Sequence, residues 1–206
     1  MKRCVIISGG DYTPIRPLRE DDYVIACDKG YEYACREAIV PALLMGDFDS
    51  YSGALPQGIA LERFKKEKDD TDTMLAIRRA LELGCNCVRL CCALGGRLDH
   101  LYANIQSLAF AVKAGMEAEM ADENTYIRVL RPGSYRLEKR AGWSLSLFAL
   151  GERCENISLS GSKYELSGGR LECSFPLGVS NEFVTDVDLS FDSGMLLVMC
   201  CRLEDK

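Results

Sequence analysis

The chain has 206 residues, of which 48% are hydrophobic and 27% are charged, a balance typical of a globular protein with enough apolar side chains to form a core. Its 31 acidic and 25 basic residues give a formal net charge of −6, which argues against nucleic-acid binding because that affinity comes from clustered Lys and Arg. The N-terminal sequence contains no apolar segment long enough for a signal peptide or a membrane helix. We therefore expect a cytoplasmic protein with neither a nucleic-acid nor a membrane partner.

Eleven cysteines are present, and their odd number, in a chain without an export signal, favours reduced thiols over a disulfide framework. The tightest group consists of Cys85, Cys87, Cys91 and Cys92, which could be interpreted as a zinc site. Zinc ligands usually come in two separated C-x₂₋₄-C pairs, whereas most of this group lies in the apolar, strand-like run CVRLCC. We expect buried core cysteines here rather than metal ligands.

The first part of the chain alternates between strand-like and helix-like patterns of apolar residues. Helices are predicted at 31–40, where Pro41 would end the helix, at 71–83, before Gly84, and at 100–114, before Gly115. Strands are predicted at 3–8, 23–28, 42–46, 59–64, 87–94 and 117–121. Alternation of this kind predicts an α/β fold with a mainly parallel sheet and helices on its faces.

The pattern changes after residue 123. From 126 to 203 the chain consists of short strand-like segments separated by Pro-Gly, Ser-Gly and Gly-Gly, and apolar residues alternate with period two in stretches such as 144–147. This composition predicts an antiparallel, all-β sandwich or barrel. We therefore divide the chain into an α/β domain, 1–123, and a β domain, 124–206.

Four aspartates lie at the ends of predicted strands of the first domain or in the turns that follow them. They are Asp28, Asp47, Asp49 and Asp99. Ligands of open α/β sheets bind outside the carboxyl ends of the strands, so we expect these side chains to converge on one edge of the sheet.

Further carboxylates occur at the start of the second predicted helix, in K-D-D-T-D at 68–72. Helix capping by Asp and Thr explains this segment on its own. Together with the four strand-end aspartates, however, it would create strong like-charge repulsion. Mg²⁺ would relieve that repulsion, because it is commonly held by one or two carboxylates plus substrate phosphates. The pattern therefore predicts a magnesium–nucleotide site.

Two further features could bind phosphate. Arg97, in G-G-R-L-D-H, can bind phosphate oxygens through two parallel hydrogen bonds, although a surface salt bridge is the alternative. Ser8-Gly9-Gly10 follows the first predicted strand and could offer backbone N–H groups to a phosphate. It is not a Walker A sequence.

Six short motifs, taken in order, resemble those of thiamine pyrophosphokinases. They are D-K-G at 28–30, G-D-F-D-S at 46–50, K-D-D-T-D at 68–72, G-G-R-L-D-H at 95–100, S-G-S-K-Y at 160–164 and G-V-S-N-E-F at 178–183. The resemblance implies that the first domain binds ATP and Mg²⁺, that the second is a β-sandwich that binds thiamine, and that the protein is a homodimer with thiamine near the subunit junction.

The resemblance also implies roles for individual residues in the first domain. Asp47, Asp49 and Asp72 would surround the magnesium ion. Asp99 would lie near the reacting hydroxyl and orient its proton, with Asp72 as the second candidate, and Arg97 would bind phosphate. Contacts with ATP are expected at Asp28, Gly30, Asp47, Ser50, Lys68, Asp69, Thr71 and Arg97.

In the second domain, Ser180 and Asn181 are expected to face the thiamine pyrimidine. Tyr164 stands where animal members of the family carry Trp, and its ring can still stack on an aromatic cation. Met74 stands where some members carry Lys, so any phosphate contact from that lysine must be absent or supplied elsewhere.

The implied reaction is transfer of a diphosphate group from Mg-ATP to the hydroxyl of thiamine, with release of AMP. Catalysis of this type depends mainly on positioning and on charge stabilisation. Two alternatives are a metal-dependent phosphatase that uses the same carboxylates and a non-catalytic thiamine or nucleotide sensor. The complete set of expected metal ligands argues against the sensor.

Overall fold

The computed structural model describes residues 2–15, 17–48, 56–65 and 70–203. The chain divides into two compact units, Met1–Glu123 and Asn124–Lys206. Within the described ranges, none of the helices combines the length and the hydropathy that a membrane-spanning segment needs.

A sheet of parallel strands forms the centre of the first unit. Its strands are β1 (Arg3–Ile7), β2 (Tyr23–Cys27), β3 (Leu43–Gly46), β4 (Ala60–Arg63), β5 (Cys87–Cys91) and β6 (Glu117–Ala121). They lie in the order β6-β5-β1-β2-β3-β4, and each neighbouring pair is parallel. Every residue of β1 is buried, as expected for the centre of a sheet covered on both faces. The described part of this unit thus has the predicted α/β alternation.

The helices of this unit are α1 (Gly30–Arg36), α2 (Asp72–Glu82) and α3 (Leu98–Lys113). The prediction that Pro41 ends the first helix is wrong. Ala38 adopts a left-handed conformation with φ of +54°, and Ile39 N–H donates to Ala34 O at 2.9 Å. The chain therefore leaves the helix four residues earlier than predicted, in the manner of a left-handed C-terminal cap.

The other two helices start close to their predicted positions. Thr71 caps α2, and its hydroxyl accepts a hydrogen bond from Met74 N–H at 3.2 Å, so the capping interpretation of this segment is confirmed for Thr71. Helix α3 starts two residues earlier than predicted, because Gly95 and Gly96, with φ of +74° and +65°, turn the chain directly into it. Asp99 consequently lies in the first turn of α3.

All eleven cysteines lie in the described ranges and are thiols, eight of them buried. Cys85, Cys87, Cys91 and Cys92 belong to the buried eight, as the apolar character of their segment predicts.

The second unit consists of strands β7 (Thr125–Leu130), β8 (Gly133–Leu137), β9 (Trp143–Ala149), β10 (Arg153–Ser162), β11 (Leu166–Glu172), β12 (Asn181–Phe191) and β13 (Leu196–Arg202). All their pairings are antiparallel. One group is β7-β13-β9 and the other is β8-β12-β10-β11, and the start of β12 also pairs with β9. Side chains from both groups share one core, which includes Leu145, Ile157, Val187 and Val198.

Candidate active site

The order of the strands in the first unit reverses beside β1. Strands β2, β3 and β4 lie on one side of β1, whereas β5 and β6 lie on the other. At such a switch point, the loops that follow the two central strands diverge and leave a crevice at their carboxyl ends. A cavity of about 460 Å³ lies there. We call it the strand-end pocket, and it is lined by residues 8–11, 27–29, 71–73, 93 and 95–97, together with His100 and Asn104.

Backbone hydrogen bonds fix the floor of this pocket. Ser8 N–H donates to Cys91 O at 2.9 Å, and Gly10 N–H donates to Cys92 O at 2.8 Å. A Cβ atom at residue 10 would lie only 2.7 Å from Cys92 O, so the close approach of the two chains requires glycine. The buried hydroxyls of Ser8 and Thr73 are hydrogen-bonded at 3.0 Å. The ends of β1 and β5 and the start of α2 are therefore held together.

Three carboxyl groups, Asp28, Asp47 and Asp72, form what we call the carboxyl cluster. Asp28 is half-buried, and its Oδ1 accepts a hydrogen bond from Phe48 N–H at 3.1 Å. A Cβ atom at Gly46 would lie 1.8 Å from that oxygen, so this glycine makes room for the carboxyl group. Asp28 and Asp72 are hydrogen-bonded to each other, and Asp47 interacts with Asp28 electrostatically.

The electrostatics of the cluster follow from this crowding. Burial, followed by the hydrogen bond with Asp72, raises the pKa of Asp28 to about 7. Near neutral pH Asp28 is therefore only partly ionised, which limits the repulsion between like charges in the cluster.

The pocket brings several of the predicted site residues together. Asp28, Thr71, Asp72 and Arg97 line it. Gly30 is buried beneath it, and a Cβ atom there would lie 2.1 Å from Ile7 O, so this glycine lets α1 pack against β1. Four other predicted residues lie outside the described ranges, namely Asp49, Ser50, Lys68 and Asp69.

The predicted magnesium ligands are thus only partly described. Among the residues that the structure describes, no three His, Cys, Asp or Glu side chains are grouped closely enough to hold a metal ion. Because Asp49 is not among those residues, the predicted ligand set of Asp47, Asp49 and Asp72 stays a prediction.

Arg97 and Asp99 form an ion pair at the start of α3. Arg97 Nε donates to Asp99 Oδ1 at 3.0 Å and Nη2 donates to Oδ2 at 2.5 Å, while His100 N–H also donates to Oδ1. Both side chains are exposed, by 74% and 63%. The hydrogen bonds from Arg97 lower the pKa of Asp99. Asp99 is therefore a weakly basic carboxylate that accepts hydrogen bonds. It lies next to Arg97, which the sequence predicts to bind phosphate.

The pocket is also lined by Asp11, Lys29, His100 and Asn104, for which the sequence predicted no role. Three of them lie in or beside motifs that could have pointed to the site. Asp11 follows Ser8-Gly9-Gly10, and Lys29 and His100 lie inside recognised motifs. Asn104 lies nearly two turns into α3, where its buried amide donates to Ala93 O at 2.9 Å, and no local pattern in the sequence marks it.

In the second unit, the two motifs at 160–164 and 178–183 meet at Asn181. Its buried side chain makes four hydrogen bonds: Oδ1 accepts from Tyr164 N–H at 3.0 Å and from Glu182 N–H at 2.9 Å, and Nδ2 donates to Tyr164 O at 2.7 Å and to Ser162 Oγ at 3.2 Å. The Tyr164 side chain is 64% exposed. Asn181 therefore holds the backbone of Tyr164 in place while the tyrosine ring faces outward.

Ser180 precedes this junction and is exposed. It has a φ of +61°, and its N–H donates to Ser146 Oγ at 3.0 Å, so its backbone is held against β9. A larger cavity of about 700 Å³ lies elsewhere on this unit, on the face of β8, β12 and β10. None of the predicted site residues lines it.

Both units match family models. Residues 16–120 match the thiamin pyrophosphokinase catalytic domain, and residues 134–196 match the thiamin pyrophosphokinase vitamin B1 binding domain. A thiamine pyrophosphokinase from Bacillus subtilis (strain 168) is 31% identical over 210 residues, which cover 97% of this chain and 98% of that protein.

Solved structures give the same result. The crystal structure of thiamine pyrophosphokinase from Bacillus subtilis is similar with a TM-score of 0.86 at 28% identity, over 98% of this chain and 99% of that one. The crystal structure of thiamin pyrophosphokinase from Geobacillus thermodenitrificans has a TM-score of 0.81 at 28% identity, over 99% and 98% of the two chains.

Proposed function

This chain belongs to the thiamine pyrophosphokinase family and is a diphosphotransferase, and we propose that it carries out the transfer in the strand-end pocket, with Mg-ATP as donor and thiamine as acceptor. The observation that carries the proposal is the carboxyl cluster at the switch point of the sheet. All three of its members lie within the residues that match the catalytic domain.

In the proposed reaction, the hydroxyl oxygen of thiamine attacks the β-phosphorus of ATP. A bond forms between that oxygen and the β-phosphorus, and the bond from the β-phosphorus to the oxygen that bridges to the α-phosphorus breaks. AMP leaves with the bridging oxygen, and the hydroxyl proton passes to a carboxylate or to water. The γ-phosphate stays attached throughout, so the products are thiamine diphosphate and AMP.

We propose that Asp47, Asp49 and Asp72 hold the magnesium ion. The carboxyl cluster has the chemistry that a magnesium site needs, because carboxylate oxygens are the ligands that magnesium prefers. Burial and the hydrogen bond with Asp72 raise the pKa of Asp28, and a divalent cation beside the cluster would favour its ionised form. When bound, the ion would neutralise charge on the phosphates.

We propose different roles for Arg97 and Asp99. Arg97 lines the pocket and would bind the transferred diphosphate through its guanidinium. The pKa of Asp99 is lowered by Arg97, so Asp99 would act as an acceptor that orients the hydroxyl rather than as a strong base, which suits a transfer that depends mainly on positioning. Asp72 is the second candidate for this role.

Thiamine would be recognised by Tyr164, Ser180 and Asn181. Because both ends of the Asn181 amide are already hydrogen-bonded within the unit, we propose that its main contribution is to hold Tyr164, whose exposed ring can stack on the cationic aromatic rings of thiamine.

We also propose that the protein is a cytoplasmic homodimer with thiamine bound near the subunit junction. The segment that leads into Ser180 supports an interface, because Phe175, Leu177 and Val179 are 62%, 58% and 46% exposed, and clustered exposed apolar side chains commonly mark contact surfaces. The eleven thiols suit a reducing compartment.

Product analysis tests the proposed function. We expect protein incubated with Mg-ATP and thiamine to form AMP and thiamine diphosphate in equal amounts. The β,γ-methylene analogue of ATP should also react, because the bridge it modifies stays intact, whereas the α,β-methylene analogue should only inhibit. Formation of ADP with thiamine monophosphate would contradict the proposal. Release of inorganic phosphate without an acceptor would indicate a phosphatase, and binding without turnover would indicate a sensor.

A further inference from the structure

Asp11 connects the end of β1 to the turn that precedes Arg97. Its Oδ2 accepts a hydrogen bond from Gly96 N–H at 3.0 Å, and its own N–H donates to Leu94 O at 3.3 Å. The backbone and the side chain of one residue thus both contact the segment between β5 and α3.

The Asp11 carboxylate packs closely against the two glycines of this turn. A Cβ atom at Gly95 would lie 2.1 Å from Asp11 Oδ2, so the carboxylate occupies the space that a side chain at residue 95 would fill. Gly95 and Gly96 both have positive φ, which other residues adopt at a cost. The turn therefore depends on glycine for its conformation and on Asp11 for its attachment to β1.

Arg97 follows this turn directly and is the N-terminal capping residue of α3. Its side chain is paired with Asp99 from the same turn of helix, so that ion pair moves with α3. The hydrogen bond from Gly96 to Asp11 instead connects the segment to the neighbouring strand of the sheet.

We propose that Asp11 is a positioning residue for the transfer: by accepting the Gly96 N–H, it fixes the Gly95–Gly96 turn and so directs Arg97 towards the phosphates of the nucleotide. The inference rests on the proposed function, because it assumes that Arg97 binds the transferred diphosphate. A displacement of about 1 Å in a positioning group can cost on the order of 100-fold in rate.

Asp11 also brings a negative charge to a pocket that must accept phosphates. Lys29, Asp28, Asp72 and Arg97 are the other charged residues that line the pocket. If the charge of Asp11 mattered more than its hydrogen bond, removing that charge would strengthen ATP binding. Positioning predicts the opposite. The hydrogen bond is exposed, so its contribution to stability should be small.

The test compares Asp11→Ala and Asp11→Asn in the wild-type and Arg97→Ala backgrounds, with Asp21→Ala, at an exposed aspartate outside the pocket, as the matched control. We expect Asp11→Ala to lower kcat/KM for ATP by about 10- to 100-fold without changing the KM for thiamine or the Tm. Asn keeps an acceptor oxygen and should restore most of the loss. In the Arg97→Ala background, Asp11→Ala should have almost no further effect, because residues that act through one another are not additive.

Three outcomes would overturn the inference: equal losses in both backgrounds, tighter ATP binding by both Asp11 variants, or a loss of activity that follows a fall in Tm. Calorimetry without thiamine measures the affinity of each variant for the β,γ-methylene analogue of ATP. The coupling between Asp11 and Arg97 can then be read from these affinities as well. If the wild type bound this analogue but formed no thiamine diphosphate from Mg-ATP and thiamine, the proposed function would fail. An Asp11–Arg97 coupling in the binding data would still support the positioning role, and its absence would refute it.

Discussion

Two groups of acidic residues in the first unit show opposite ways of placing charge. The side chain of Asp22 is only 1% exposed and forms an ion pair at 2.5 Å with the side chain of Arg3, which is 5% exposed. In the carboxyl cluster, Asp28 instead faces other carboxyl groups, and its pKa is raised to about 7. The first charge is balanced within the fold. The second consists of like charges crowded together at the end of the sheet, where a cation and a nucleotide would offset their repulsion.

This difference separates residues that hold the fold from residues that do chemistry. The pKa of Asp22 is lowered, because hydrogen bonds from Arg3 and from Arg19 N–H outweigh the effect of burial. Clustered carboxyl groups with raised pKa values are instead typical of functional sites. Each prediction below changes one side of this comparison.

The largest effect is expected from breaking the balanced pair. Asp22→Asn leaves Arg3 buried without its counter-charge, which should lower the free energy of unfolding by about 3–5 kcal/mol. Urea unfolding measures this loss. The turnover of the folded protein should stay close to that of wild type, and a proportionate loss of turnover would place Asp22 in the catalytic machinery instead.

The same pair predicts a pH dependence. Because the pKa of Asp22 is lower in the folded state than in the unfolded state, its contribution is present above the unfolded value, about 3.9, and is lost as the pH falls through the folded value. Below about pH 4, stability should therefore decrease more steeply in wild type than in Asp22→Asn. Equal slopes in acid titrations followed by circular dichroism would show that Asp22 is not ionised in the fold.

The opposite result is expected from the carboxyl cluster. Asp72→Asn should lower kcat by about 100- to 1,000-fold, because it removes a proposed ligand of the ion that neutralises charge on the reacting phosphates. It should leave the Tm unchanged or raise it, since a like-charge contact disappears. Asp49→Asn should behave in the same way at low magnesium. Rates near wild type for both variants, with magnesium limiting, would refute the assignment of these residues to the metal.

The second unit should show a smaller, substrate-specific effect. Asn181→Ala removes the hydrogen bonds that hold Tyr164 and should cost about 1–3 kcal/mol of stability, with a raised KM for thiamine and an unchanged affinity for ATP. Tyr164→Ala should raise the thiamine KM by about 5-fold, and Tyr164→Phe, which keeps the ring, by little. If Asn181 acts through Tyr164, the double variant should be no worse for thiamine than Tyr164→Ala alone. Equal losses for both substrates would indicate a purely structural role.

The sequence predicts the carboxyl cluster better than the Asp22–Arg3 pair. Asp28 and Asp72 could be placed together because parallel strands bring the residues that follow them to one edge. Nothing local distinguishes Asp22 from a surface aspartate, because its partner is 19 residues away on a central strand. The roles of Asn181 and Asp11 depend on the register of β12 and on the approach of β1 to the turn after β5, and both are tertiary features. The predicted first helix is longer than α1, because nothing in the sequence indicates that Ala38 adopts a left-handed conformation.

The most direct test of the account measures the Tm of three proteins with and without Mg²⁺ and the α,β-methylene analogue of ATP. A ligand that binds the native state stabilises the fold, and the stabilisation increases with its affinity. If the carboxyl cluster forms the cation and nucleotide site, Mg²⁺ with the analogue should raise the Tm of wild type and of Asp22→Asn by the same amount. The Tm of Asp72→Asn should rise much less. An equal rise in all three proteins would contradict the central claim, because the ligands would then bind without the carboxyl cluster.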